Sequence, residues 1–365
     1  MRTEPGNTSF IKALAAHGRA VGLAMVPSGP ANSDPTIRVL SHRADEVVVH
    51  VGDIVVKAHA HRVDAGELGS RLDTAADPRL GRFLVAPIPV RAVQHGADRA
   101  SAAISRYTTL VHDQLVTLWP AGTPLSRADP NRAPWRTAAG LLAGLHQIPP
   151  TPGLPAAAGP QRVTDSLNRL ATASLGHGAL TGAAATVRAA ATTLPGWALG
   201  AETAQRPPQS QRPSQSQRPP QGQRPVQGRR PIPSQRTAPY RTALCHGDWH
   251  LGQLVEFAPL GWRMIDIDDL GVGDPAWDLG RPAAWYAAGL LSEEVWGQFL
   301  CAYLAAGGTA IAPDVDPWPR LEVPSRAITV QSAASAIVKA AGRGGRLDEI
   351  GETLVACCRR ISRAG

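Results

Sequence analysis

Cysteine is rare in this chain, with four among 365 residues, at positions 245, 301, 357 and 358. None forms a CxxC pair and the last two are adjacent, which argues against a disulfide framework or a structural zinc site. A reducing cytoplasm is the setting this usage fits. Lysine is scarcer still, three residues against 34 arginines. The bias has the look of coding composition, and it makes each of Lys12, Lys57 and Lys339 worth inspecting. Long apolar runs are missing too. No stretch approaches the ~18 residues of a membrane span, and the longest apolar stretch near the start, 20–26, is broken by Gly22 and too short for a signal-peptide core. The expectation is a soluble intracellular protein with no membrane partner.

Apolar residues make up 43% of the chain, enough for a sizeable core, and the length suggests two lobes at the prior of roughly 150 residues per domain. The formal charge is +8, but seven arginines and no acid lie between Gln205 and Arg236, and without them the chain is close to neutral. That segment is a six-residue repeat of Gln, Arg and Pro with one Val and one Ile to bury, so it reads as a disordered, partly polyproline insert in which neither a core nor a ladder can form. Nucleic-acid recognition would need basic residues interleaved with aromatics on a folded face, and the insert has no aromatic. No specific nucleic-acid partner is expected. The insert is suited at most to weak contact with an anion or a proline-binding module.

Runs of β-branched residues predict strands at 36–40, 46–51 and 53–59, with further candidates at 84–93 and 115–119. After Pro120 the period changes. Trp135, Ala138, Ala139, Leu142 and Leu145 recur at helical spacing, as do Val295 to Leu304 behind the start signal Ser292-Glu293-Glu294, and 325–341 and 347–361 read as further helices. The fold class expected is α+β: an N-terminal segment 1–35, a β-rich lobe 36–118, and a helical lobe formed by 119–204 and 237–365 around the insert 205–236.

Residues 243–322 carry twelve acids and three arginines, against the basic trend of the chain. Several acids adjoin apolar runs, where an ionised carboxylate is costly unless paired or holding a cation. Oxygen donors of this kind suit Mg²⁺. His246 and His250 would make a zinc pair only on a helix, which Gly247 and Gly252 oppose, so His246 reads as a structural residue of a loop. Asp278, just before a helix, reads as a brace for that loop, and His146 as a packed core histidine.

These residues also carry a resemblance. His246-Gly247-Asp248 followed by Gln253 resembles the HGDxxxxN catalytic loop of the aminoglycoside phosphotransferase and choline kinase superfamily, in the HGDxHLGQ form similar to maltokinase-like members. Ile265-Asp266 resembles that family's metal-binding aspartate, and Gly273 to Gly280 its continuation into a helix. Leu141 to His146 is similar to the LAxLH helix, Leu118 to Gly122 to the hinge, and Val55-Val56-Lys57 to the strand bearing the phosphate-binding lysine. The resemblance implies a protein-kinase-like fold and an ATP- and Mg²⁺-dependent kinase for a hydroxyl of a small molecule of aminoglycoside, sugar or amino-alcohol type. It implies that Asp248 handles the acceptor proton, that Asp266, Asp268 and Gln253 hold Mg²⁺, and that Lys57 neutralises the α- and β-phosphates. Glu67 would orient Lys57, with Asp64 competing for that place, and backbone groups at Leu118, Trp119 and Ala121 would receive the adenine. No glycine-rich loop precedes Lys57. With the usual asparagine replaced by Gln253, that departure suits the alternative, a catalytically silent member acting as a binding module through its insert.

Overall fold

A computed structural model describes residues 5–25, 36–43, 46–90, 105–125, 133–176, 178–200 and 242–364. The insert 205–236 and the segment 26–35 lie outside the described residues. The chain divides into two compact units, Met1–Gly159 with Arg241–Val315, and Pro160–Tyr240 with Asp316–Gly365.

The first unit begins with helix α1 (Pro5–Met25) and strands β1 (Ile37–Arg43), β2 (Glu46–Val51) and β3 (Ile54–Ala58). Helix α2 (Ala65–Ala75) follows, then β4 (Thr108–Val111), β5 (Gln114–Pro120), the short β6 (Thr123–Pro124) and helix α3 (Trp135–His146). The sheet is antiparallel throughout, in the order β1-β2-β3-β5-β4. Strand alternation gives its two faces different work. Val49, Val56, Val116 and Leu118 are fully buried beneath Leu14 and Ala15 of α1, and Gly18 lets the helix approach the Val56 side chain. In the β3–β5 register Lys57 faces Thr117 and Val55 faces Trp119, which places these four on the opposite face. Asp64 caps α2 by accepting from the Glu67 N–H at 2.8 Å.

Helices α4 (Gly159–Thr172) and α5 (Ala179–Ala191) come next in the chain, followed by strands β7 (Ala243–Cys245), β8 (Leu254–Phe257), β9 (Gly261–Met264) and β10 (Gly271–Gly273). Strand β7 pairs with β10, and β8 lies between β6 and β9. Helices α6 (Ala276–Ala287) and α7 (Glu293–Ala305) complete the first unit. As the start signal implies, Ser292 caps α7, accepting from the Val295 N–H at 3.3 Å. The second unit packs α5 against α8 (Trp318–Ala341) and α9 (Glu349–Ala364), and Arg326 donates to the Thr193 hydroxyl at 2.7 Å. Among the described residues no helix is long and apolar enough to cross a membrane.

Three expectations need correction. The 84–93 segment is no strand where it is described. Leu84 makes a single bridge to Met264, and Ile88 donates to Leu118 O at 2.8 Å. Pro87 and Pro89 have no N–H to offer a ladder, although Leu84, Val85 and Ile88 are buried. Helix α8 starts seven residues before Ser325 and runs through Pro324, which has no N–H to give its ladder. Helix α1 in the N-terminal segment was not anticipated, and neither were α4 and α5.

Candidate active site

The loop leaving β7 is held from below by one carboxylate. Asp278, in the first turn of α6, accepts from the His246 N–H at 2.7 Å, the Gly247 N–H at 2.9 Å and His146 Nε2 at 3.0 Å. A carboxylate only accepts, so Nε2 carries the His146 proton and Nδ1 meets the Tyr303 hydroxyl at 2.7 Å; that oxygen in turn accepts from the Ala310 N–H at 3.0 Å. Burial alone would raise the Asp278 pKa, but the hydrogen bonds it receives from His146 and from the His246 N–H more than offset it and hold it below the usual carboxylate range. His146, Cys245 and Asp278 are, among the described residues, a trio with ligand atoms close enough for a metal. Their chemistry is already committed: both His146 nitrogens and both Asp278 oxygens carry hydrogen bonds, and burial with the Asp278 charge raises the Cys245 pKa well above normal.

Gly247 sits at φ 86°, and a Cβ there would overlap the Asp269 carbonyl oxygen, so the loop requires glycine. Trp249 is buried against Trp135 and Phe299, anchoring the loop in the helical core on the far side of Asp248. Asp248 pairs with Arg281 of α6 at 3.0 Å, so the helix that braces the loop through Asp278 also supplies the cation beside Asp248 three residues later. His250 accepts from the Gly252 N–H at 2.9 Å. Burial, then the Arg281 charge, pushes its pKa down to about 4.

The second acidic segment leaves β9 and turns at Asp266, whose φ of 66° is unusual for a residue with a side chain. Four contacts over-determine it. His246 Nε2 donates to Ile265 O at 2.9 Å, the Ile265 N–H donates to Gln253 O at 2.9 Å, Gln253 Nε2 donates to Asp266 Oδ2 at 3.0 Å, and Lys57 Nζ lies 2.7 Å from Asp266 Oδ1. Lys57 also lies 2.7 Å from Asp268 Oδ2. Burial would depress the lysine, yet Asp266, Asp268 and Glu46 together raise its pKa strongly. Both aspartates are correspondingly lowered, Lys57 outweighing the burial that would raise them, with His59 adding to the effect at Asp268. His59 Nδ1 lies 3.4 Å from Asp268, and its Nε2 is 2.9 Å from the Thr117 hydroxyl, which also accepts from Trp119 Nε1 at 2.9 Å.

The structure therefore brings Lys57, Gln253, Asp266 and Asp268 into direct contact, with Asp248 on the loop tied to them through His246. Other expected residues do not join. Glu67 is not on Lys57; it pairs with Arg71 four residues along α2, at 3.2 Å, because that is the nearest cation on its own helix face. The Leu118 side chain is in the core beneath α1, its carbonyl accepts from Ile88, and the Ala121 N–H donates to Asp53 O at 2.8 Å, so neither presents the edge expected for a base. Trp119 does lie on the Lys57 face. The residues missed from the sequence are His59, Arg71 and Arg281. The 67/71 spacing was the available signal for Arg71.

The profile of the phosphotransferase enzyme family matches residues 114–321, a span that contains Asp248, Gln253, Asp266, Asp268 and Asp278. Among curated proteins none matches the sequence. Among solved structures the chain is similar to a choline kinase from Cryptosporidium parvum (11% identity, TM-score 0.53, covering 94% of each chain) and to a choline kinase from Streptococcus pneumoniae (10% identity, TM-score 0.52, covering 96% of this chain and 100% of that one). An aminoglycoside phosphotransferase from Streptomyces rimosus aligns at 17% identity and TM-score 0.47 over 89% of this chain and 98% of that one. The fold is protein-kinase-like, with a β-sheet lobe and a helical lobe, and with the profile covering more than half its length the chain belongs to the phosphotransferase enzyme family.

Proposed function

We propose that this chain transfers the γ-phosphate of ATP to a hydroxyl of a small molecule of sugar, aminoglycoside or amino-alcohol type. The observation that carries the reading is the convergence of a strand lysine, Lys57, on two loop aspartates, Asp266 and Asp268, beside a braced loop bearing Asp248. Phosphoryl transfer asks a protein mainly for positioning and charge neutralisation, and both are present in this arrangement.

The donor set fits a hard divalent ion. Two carboxylates already share one cationic group, the Lys57 ammonium, at 2.7 Å each, and Asp266, Asp268 and the oxygen of a turned Gln253 amide are the ligands Mg²⁺ prefers. Mg²⁺ would supply neutralisation of the β- and γ-phosphate oxygens. Lys57, released from the aspartates, would move onto the α- and β-phosphates as a point charge. The nucleoside would lie along the face bearing Val55 and Trp119, the indole offering its ring and the Thr117 bond fixing its orientation. At the other end of the phosphates the acceptor oxygen forms its bond to γ-phosphorus as the bridging β–γ bond breaks, and the hydroxyl proton passes to the Asp248 carboxylate. Arg281 fixes that carboxylate and moderates its charge.

Calorimetric titration with ATP, with Mg²⁺ or with EDTA, tests the nucleotide half of the reading. Tight binding in Mg²⁺ alone, mostly abolished in Asp266→Ala, is expected. Equal affinity in both buffers would count against the site and favour a silent binding module.

A further inference from the structure

The fold holds the metal-aspartate turn with a second cation that the chemistry just described does not use. Arg71 of α2 is buried, and its Nε donates to the Leu270 carbonyl at 3.0 Å, while its Nη1 pairs with Glu67 at 3.2 Å. Leu270 closes the turn that starts at Asp266: its N–H donates to Ile267 O at 3.0 Å, and β10 begins at the next residue. The turn is pinned at its entry by the Ile265 bond to Gln253 and at its exit by Gly271 pairing with Cys245. Between those ends, side-chain cations reach it from the β-sheet lobe, Lys57 at the two carboxylates and Arg71 at the Leu270 carbonyl.

We infer that Arg71, aligned by Glu67, is a positioning residue that sets Asp266 and Asp268 for the metal. This deepens the phosphotransferase reading and rests on it for its catalytic consequence. The two holds are not equivalent. The Lys57 pairs must be exchanged when Mg²⁺ and nucleotide phosphates arrive, because the same carboxylate oxygens and the same ammonium are wanted elsewhere. The Arg71 bond goes to a backbone carbonyl that no ligand competes for, so it persists through binding and keeps Asp266 in its left-handed conformation while Lys57 is away. The planar guanidinium makes this geometry available, since one edge meets Glu67 and Nε still points at the carbonyl. Glu67 thus serves the site through Arg71 and not through Lys57.

The experiment compares wild type, Arg71→Met, Arg71→Lys, Glu67→Gln and, as a control on an exposed pair in the same lobe, Arg79→Met. Hydrogen exchange of the ligand-free proteins comes first, and it reads the hold on the turn independently of any activity. Arg71→Met should speed exchange of residues 264–272 about tenfold, the scale of one lost hydrogen bond from a charged donor, with α3 and α7 unchanged. Arg71→Lys should fall between, and Glu67→Gln should give a smaller effect of the same pattern. Calorimetry with Mg²⁺ and ATP comes second: Arg71→Met should weaken Mg²⁺-dependent ATP binding about tenfold and leave binding in EDTA unchanged. If Arg71→Met does not fold, the Arg71→Lys and Glu67→Gln pair carries the test. Unchanged exchange at 264–272, or acceleration spread equally over the first unit, overturns the inference. Absence of Mg²⁺-dependent ATP binding in wild type overturns the phosphotransferase reading, and the exchange result still decides whether Arg71 holds the turn.

Discussion

Replacing Asp278 by Asn tests how the loop bearing Asp248 is held, without reference to any substrate. The carboxylate receives three N–H groups, from His246, Gly247 and His146, and an amide can receive them on one oxygen only. The least costly placement keeps the amide oxygen where Oδ2 meets His246 and His146, and turns the NH₂ group toward the Gly247 N–H. One buried donor then loses its acceptor and faces another donor, and the other two bonds lose their charged acceptor. At about 1–3 kcal/mol for the orphaned donor and about 1 kcal/mol for each of the two weakened bonds, the loss is about 3–5 kcal/mol. For a unit of this size that is a fall in Tm of about 6–20 °C at neutral pH, measured by scanning calorimetry. The sign of the pH dependence follows from the depressed Asp278 pKa. Its stabilisation is present above the unfolded carboxylate range and is lost as pH falls through the folded value, so the gap between wild type and variant should narrow below about pH 4. A variant melting within about 2 °C of wild type at neutral pH would refute the brace.

Removing Lys57 as Lys57→Met leaves Asp266 and Asp268 facing each other without their shared cation. Wild-type pairing contributes above about pH 4 and is lost in acid, whereas the variant should lose about 2 kcal/mol at pH 7 and recover part of it toward pH 5 as one carboxylate takes a proton, visible as a crossing trend in Tm against pH. Gly247→Ala forces a side chain into a left-handed backbone against the Asp269 carbonyl, and should cost about 3 kcal/mol in urea melts; a neutral result would show that the loop can relax. Exchanging Gln205 to Arg236 for a short Gly/Ser linker should keep Tm and nucleotide affinity near wild type while lowering the pI, because those residues have almost nothing to bury. Insolubility or lost nucleotide binding would show that the segment packs on the folded units.

The site was readable where chemistry and backbone coincide in one short stretch. Gly247, Asp248 and the acids around Asp266 stand beside apolar runs, and such a pattern has few bland explanations. The brace was readable in the same way, from an acid at the start of a helix, although its bond to His146, and the bond of His146 to Tyr303, span more than a hundred residues in sequence and needed the fold. Neither Glu67 nor its competitor Asp64 reaches Lys57, because Arg71, four residues along α2, takes the Glu67 carboxylate and Asp64 caps the helix. The state of the Leu118 backbone was not legible, because its carbonyl accepts from Ile88 in an earlier segment that only the fold brings alongside. Pro87 and Pro89 were in plain view and should have demoted the 84–93 strand.

Phosphoryl transfer itself is the most direct test of the site. Wild type and Asp248→Asn are to be incubated with Mg²⁺, ATP and a panel of sugars, amino sugars, amino alcohols and aminoglycosides, with phosphorylated acceptor detected by mass spectrometry. The account predicts a phosphate ester on at least one acceptor, formed by wild type and slowed roughly 10²- to 10⁴-fold in Asp248→Asn, with nucleotide affinity unchanged in the variant. An ester formed equally fast by Asp248→Asn, or no ester from any acceptor by a wild-type protein that binds ATP independently of Mg²⁺, would contradict it.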